Sequence, residues 1–315
     1  MHEELENLWM YSEQPYLDFR NDAAAYAGTS PTRIVPGHGS LALIGSVASA
    51  LLGPDEQVVV PTLTYGLYGQ LSATRGATVH RVPMRGLALD LDALGETARR
   101  VEARIVWICD PNNPTGAVLE RDEWHAFLDA LPERCVAVVD EAYVDFLAPD
   151  RRVRLERDVE EGRRVIVLRS FSKLFGLAGL RLGYAIVDEP LVPYLDLLEE
   201  PFNVNCAALV AGSACLRATE EVDTRRREVA AAREELSSGL RAAGLEPLPS
   251  VTNFVLARLD VDDVALADRL AERGLLIRPG SDYGLPGYAR ITVGPLPLME
   301  RVSAELADVC ASLRG

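Results

Sequence analysis

A chain of 315 residues with 48% hydrophobic and 25% charged side chains can bury the core of one large or two modest domains. Its net charge of −15 argues against a polyanionic partner such as DNA, RNA or an acidic membrane surface. Five scattered cysteines (Cys109, Cys135, Cys206, Cys215, Cys310) without a CxxC pair argue against a disulfide framework and for a reducing, cytoplasmic setting.

The N-terminal MHEELENLWMYSEQ is acidic and lacks the apolar stretch of a signal peptide, and no later run is long enough to span a membrane. Val- and Ile-rich runs then alternate with amphipathic segments. EQVVVP (56–61), ATVHRVP (77–83), ARIVWICD (103–110), CVAVVDE (135–141), RRVIVLRS (163–170) and LRLGYAIV (180–187) read as strands. Residues 40–53, 89–103 and 120–132 read as helices between them. Short strands buried on both faces and separated by helices predict an α/β fold with a mostly parallel sheet. From about 216 the texture changes. A long charged helix (217–244) leads into a strand at NFVLARL (253–259), a helix at VALADRLAERG and strands at LLIRP and ARITVG, which predicts a smaller α+β domain. The expected division is a short N-terminal segment (1–27), a large domain (28–216) and a small C-terminal domain (217–315).

Lys173 is the only lysine, against 31 arginines. A GC-rich genome accounts for the arginines but not for the exception. An arginine serves wherever a fixed positive charge suffices. A group that must shed a proton and form an imine has to be lysine, whose ammonium deprotonates when desolvated or set beside another cation. Leu174 and Phe175 are candidates for the desolvation and Arg181 for the neighbouring charge.

The segment SFSKLFGLAGLRLGY (170–184) resembles the cofactor-lysine motif of fold type I pyridoxal-phosphate aminotransferases, class I/II. Within them it is most similar to the histidinol-phosphate aminotransferase and threonine-phosphate decarboxylase subgroup. The resemblance implies that Lys173 holds pyridoxal 5′-phosphate as a Schiff base, and that Ser170, Arg181 and Ser172 bind its phosphate. Three further elements follow the family order. DPNNPTG (110–116) places Asn113 against the cofactor's 3′-oxygen. VVDEAYVDF (138–146) places Asp140 on the ring nitrogen and Tyr143 on the 3′-oxygen, with Glu141 and Asp145 read as solvated or structural. PGHGSLALIG puts Gly39 and Ser40 in a phosphate cradle at a helix start. PTLTYGLYG (61–69) stacks Tyr65 on the ring and leaves Tyr68 in the core. In the last third, Arg290 aligns with the arginine that grips the substrate's carboxylate or an equivalent anion, and Arg278 is a candidate for a second anion.

The resemblance runs from Tyr11 to about Leu313, and the N-terminal arm that the family usually carries ahead of this stretch is not matched. Counted back from Gly28, the family tyrosine that reaches the partner subunit's cofactor phosphate falls on Tyr11, although Ser12 stands where proline usually follows. The implied activity is transfer of an amino group between an amino-acid or amino-alcohol donor and a keto acceptor, by a homodimer with shared sites. A decarboxylase, oxidase or lyase would use the same cofactor, and a non-catalytic sensor module is the reading from another class.

Overall fold

The alternation of β-branched and amphipathic segments builds a seven-stranded sheet in the computed structural model, which describes residues 9–315. In chain order the first part comprises α1 (Leu17–Ala27), β1 (Ile34–Gly37), α2 (Ser40–Leu51), β2 (Gln57–Pro61), α3 (Leu67–Thr74), β3 (Thr78–Val82) and α4 (Leu91–Arg100). It continues with β4 (Ile105–Cys109), α5 (Arg121–Ala130), β5 (Val136–Asp140), α6 (Leu155–Glu160), β6 (Val165–Ser170), β7 (Gly183–Ile186), α7 (Val192–Leu198) and α8 (Cys206–Arg217). The strand order is β1-β7-β6-β5-β4-β2-β3. Strands β3, β2, β4, β5 and β6 run parallel. This is the expected α/β architecture.

Both faces of the sheet are covered. In β4 Ile105, Trp107 and Cys109 enter the apolar core on one side, while Val106 and Ile108 enter the core on the other. That two-sided burial is why the strands read as unbroken apolar runs rather than as alternating ones.

Strand β7 departs from the expected pattern. It lies antiparallel to both β6 and β1, because the 171–182 connection forms no crossover helix and turns back on itself. The Phe171 N–H donates to the Leu182 carbonyl at 3.1 Å, and the Leu177 N–H donates to the Phe171 carbonyl at 3.0 Å. An antiparallel return needs only such a turn, whereas a parallel one needs a longer crossover. The loop carrying Lys173 is therefore held at the end of β6. Helix α1 packs on the large part: its Phe19 lies against Phe171 and Tyr184, with ring centroids 5.8 and 6.2 Å apart.

The second part comprises α9 (Thr219–Ala242), β8 (Glu246–Pro247), β9 (Phe254–Arg258), α10 (Asp263–Glu272), β10 (Arg278–Pro279), β11 (Tyr288–Thr292) and α11 (Leu296–Arg314). Its antiparallel sheet has the order β10-β11-β9-β8 and closes over its own core with Leu236, Leu240, Leu266, Leu270 and Leu306. Helices α8 and α9 meet at Ala218 (ψ 59°), where we place the division between the two parts. Val222 and Phe254 join the core of the first part. Among the described residues no helix is long and apolar enough to cross a membrane.

Candidate active site

Parallel strands all deliver their C-terminal ends to one edge of the sheet, where an open α/β fold leaves a crevice. Asp140 ends β5, Ser170 ends β6, and Cys109 ends β4 ahead of the loop bearing Asn113. These residues line one cavity of about 400 Å3 together with Ser40, Tyr65, Tyr68, Tyr143, Ser172, Lys173, Arg181, Arg278, Tyr283 and Arg290. Apart from Gly39 and Tyr11, every site residue expected from the sequence lines this cavity.

Lys173 enters from the β6–β7 loop. Leu174 and Phe175 are buried beside it, and its Nζ lies 5.2 Å from the centre of the Tyr143 ring. Desolvation is the main influence lowering the Lys173 pKa, followed by the positive charge of Arg290. Arg181, the neighbouring charge expected from the sequence, pushes the same way more weakly than Arg290. Asp140 and Cys109 oppose the shift.

Asp140 is 4% exposed. Its Oδ1 accepts the Ala142 N–H at 3.0 Å and its Oδ2 accepts the Tyr68 hydroxyl at 2.7 Å. Burial raises its pKa, while these two donors and Lys173 counter that rise. Tyr143 is also buried, with its ring edge-on to Phe254 at 5.3 Å, and burial raises its phenol pKa.

The DPNNPTG loop is braced by its other asparagine. Asn112 is fully buried; its Nδ2 donates to the Leu63 carbonyl and to Thr115 Oγ1, both at 2.9 Å, and its Oδ1 accepts the Thr64 hydroxyl at 3.0 Å. This ties the loop to the segment before Tyr65 and leaves Asn113 facing the cavity. Asn113 Oδ1 accepts a 2.7 Å hydrogen bond from Arg290 Nη1. The Arg290 guanidinium lies 5.0 Å from the Phe254 ring centre and 5.8 Å from that of Tyr283, and its buried Nε–H has no partner among the described residues. An unpaired buried donor of this kind is costly unless a ligand completes it.

At the other end of the cavity, Ser40 opens the 12-residue helix α2. Gly39 has φ 80°, and a Cβ there would lie 2.5 Å from Arg181 Nη2, so only a bare backbone admits the guanidinium. Gly183 is needed for the same reason, since its Cβ would lie 2.7 Å from the Ser40 nitrogen. Arg181 is anchored by the Ala178 carbonyl at 3.0 Å, and Ser170 Oγ accepts the Ser172 N–H at 3.2 Å. A helix start, hydroxyls and a guanidinium converging here form a site for a phosphate-like dianion.

The fold refines the remaining sequence expectations. Of the two readings of Glu141 and Asp145, solvated or structural, the structural one holds: Glu141 is paired with buried Arg169 at 2.8 Å, and Asp145 accepts the Tyr26 hydroxyl at 2.8 Å beside Arg152. Tyr68 is buried as expected, yet its hydroxyl belongs to the site. Its place in the first turn of α3, just after Tyr65, was the available signal, and the two rings meet edge-on at 5.4 Å. Tyr11 does not enter this chain's cavity; it is 81% exposed and rests on Phe202, with ring centroids 4.7 Å apart. Arg278 sits at the rim, exposed and paired with Asp282 at 3.2 Å.

The family model for class I and II aminotransferases matches residues 3–306. Histidinol-phosphate aminotransferase 1 of Thiobacillus denitrificans is 37% identical over 292 residues, covering 93% of this chain and 76% of that protein. The Brevibacillus brevis histidinol-phosphate aminotransferase is 31% identical over 307 residues, covering 98% and 84%. The crystal structure of histidinol-phosphate aminotransferase from Sinorhizobium meliloti in complex with pyridoxal-5′-phosphate superposes with a TM-score of 0.92 at 28% identity, covering 99% of this chain and 86% of that one.

Proposed function

Because this chain belongs to the class I and II aminotransferases and is a pyridoxal-phosphate-dependent enzyme, we propose that its cavity carries out amino-group transfer with Lys173 as the covalent anchor and proton carrier. The observation that carries this reading is the placement of the chain's sole lysine, desolvated, in one cavity with Asp140, Asn113, Ser170 and Arg181.

The residues present fit the cofactor at both ends of the cavity. Ser170, Ser172, Arg181 and the Gly39–Ser40 helix start offer a phosphate the charge and hydrogen-bond donors it needs, and the bare Gly39 leaves room for the guanidinium. A buried carboxylate at Asp140 is an expensive feature that a protonated ring nitrogen would offset. Bound there, the cofactor supplies an electron sink for charge developing at the substrate's Cα.

The rest falls to the chain's own groups. Lys173 would hold the cofactor covalently, and its amine, once free, would take the proton from the substrate's Cα as general base and deliver it to C4′ as general acid. A lowered pKa leaves more of that amine neutral near physiological pH. Asp140 would keep the ring nitrogen protonated, Asn113 and Tyr143 would bond the 3′-oxygen, and Tyr65 would cover the ring. Arg290, with its unpaired Nε–H, orients an anionic group of the substrate, and Arg278 at the rim serves a second one. Histidinol phosphate, the substrate in the relatives' names, is the first donor to test.

Tyr11, displayed outward, serves the site of a second copy in a homodimer, and five unpaired cysteines fit a cytoplasmic enzyme. The test is to titrate purified protein with pyridoxal phosphate while following visible absorbance, then to assay keto products from a donor panel headed by histidinol phosphate. Uptake of the cofactor and a keto product are expected. A protein that stays colourless in excess cofactor overturns the reading.

A further inference from the structure

We propose that Tyr68 is a positioning residue for Asp140: its hydroxyl orients the carboxylate toward the cavity and holds it ionised. The catalytic meaning of this inference rests on the proposed pairing of Asp140 with the cofactor ring nitrogen, whereas the contact itself does not depend on the cofactor.

Tyr68 is fully buried, and its hydroxyl donates to Asp140 Oδ2 at 2.7 Å, with the Cys109 thiol beside it. Its ring has no freedom to leave. It stacks on Trp107 at 5.3 Å with a 3° interplanar angle and meets Tyr65 edge-on at 5.4 Å. Trp107 is itself fixed, because its Nε1–H donates to Ser72 Oγ at 3.1 Å while the Ser72 hydroxyl donates to the Tyr68 carbonyl at 2.7 Å. An aromatic residue serving only to fill space needs none of this orientation, and a buried phenol is normally placed for its hydrogen bond.

The bond matters because Asp140 sits where an ionised carboxylate is costly. Lys173 from the β6–β7 loop, Cys109 from the end of β4, Tyr143 from the loop after β5, and Tyr65 and Tyr68 from the start of α3 are the titratable groups that face it. Only Lys173 among them offers a positive charge, and its own ammonium is disfavoured there. The fixed donors on the carboxylate are then the Tyr68 hydroxyl and the Ala142 N–H, one on each oxygen. Burial drives the Tyr68 phenol pKa upward, so the phenol stays protonated and remains a donor. A hydrogen bond to the charged form favours that form.

Two variants move the donor strength in opposite directions with little change of shape. Tyr68→Phe deletes the hydroxyl, and 3,5-difluorotyrosine incorporated at position 68 acidifies it and strengthens the donor. In cofactor-free protein, with the Asp140 carboxyl followed by carbon-13 NMR, the titration midpoint should rise by about one pH unit in Tyr68→Phe and fall in the fluorinated protein. With pyridoxal phosphate added, Tyr68→Phe should bind it about tenfold more weakly. Ser72→Ala, which loosens the same patch but keeps the hydroxyl, should leave the midpoint in place. An unmoved midpoint in the fluorinated protein, or a shift in Ser72→Ala as large as in Tyr68→Phe, overturns the proposal. If wild-type protein takes up no cofactor, the functional reading fails, while the cofactor-free titration still decides the role of Tyr68.

Discussion

At Lys173 an ammonium and a guanidinium cease to be interchangeable. Elsewhere in this chain a fixed positive charge is enough, and arginine supplies it. In the proposed role this group gives up a proton, and burial and the charge of Arg290 lower its pKa in that direction. Lys173→Arg should therefore keep the fold and the net charge but hold no cofactor covalently. Borohydride reduction followed by peptide mass spectrometry should show an adduct on Lys173 in wild type and none in the variant, with turnover falling by about 10³-fold or more. The identity of this residue was legible from composition and its immediate neighbours. The cation that most affects it was not, because Arg290 belongs to a strand of the other sheet. The Tyr68–Asp140 bond, spanning 72 residues, was hidden for the same reason.

At the level of elements, the strand ends carry the charge-bearing groups. Asp110 follows β4 and opens the DPNNPTG loop; its Oδ1 accepts the Leu119 N–H at 2.8 Å, and burial pushes its pKa from 3.8 up to about 7. A folded-state pKa above the unfolded value means the fold favours the neutral acid. Its contribution is complete below the unfolded pKa and is lost as pH rises through about 7. Asn at this position keeps the acceptor oxygen and cannot ionise. The melting temperature of wild type relative to Asp110→Asn should therefore fall between about pH 4 and pH 7. A constant difference across that range would mean the neutral acid is not favoured. The comparison is needed because Glu141 and Glu199 also have raised pKa values from burial and add a shared background. The strands themselves were readable from their apolar runs, but the antiparallel direction of β7 was not. Direction depends on how the 171–182 connection folds, and a hydrophobic pattern has no polarity along the chain.

For the whole molecule, the outer surface carries apolar side chains that the described chain leaves in water. Tyr11 and Leu197 are exposed by 81% and 74%, and Tyr194 and Phe202 are also exposed. Of these, Tyr11 and Phe202 lie against each other, and an exposed aromatic pair suits an interface. If the molecule is a dimer whose sites each borrow Tyr11 from the other chain, Tyr11→Ala and Lys173→Ala chains are each deficient but complement one another. Mixing them under subunit exchange should yield activity that neither variant has, since each hybrid holds one site with both residues intact. No recovery, in a mixture proven by mass spectrometry to contain hybrids, would place Tyr11 outside the site.

By itself the sequence singled out Lys173 as the sole lysine, the alternation that makes a two-sided α/β sheet, and the order in which Asn113, Asp140, Ser170 and Arg181 arrive at its edge. Those features are local, written in residue chemistry and short-range periodicity. The tertiary structure alone decided that Arg290 comes near enough to Lys173 to lower its pKa and bonds Asn113, that Tyr68 bonds Asp140, and that Glu141 and Asp145 are buried in ion pairs. Each of these is a distance between groups far apart in the chain, and burial and electrostatics act through distance in space, which a linear pattern does not encode.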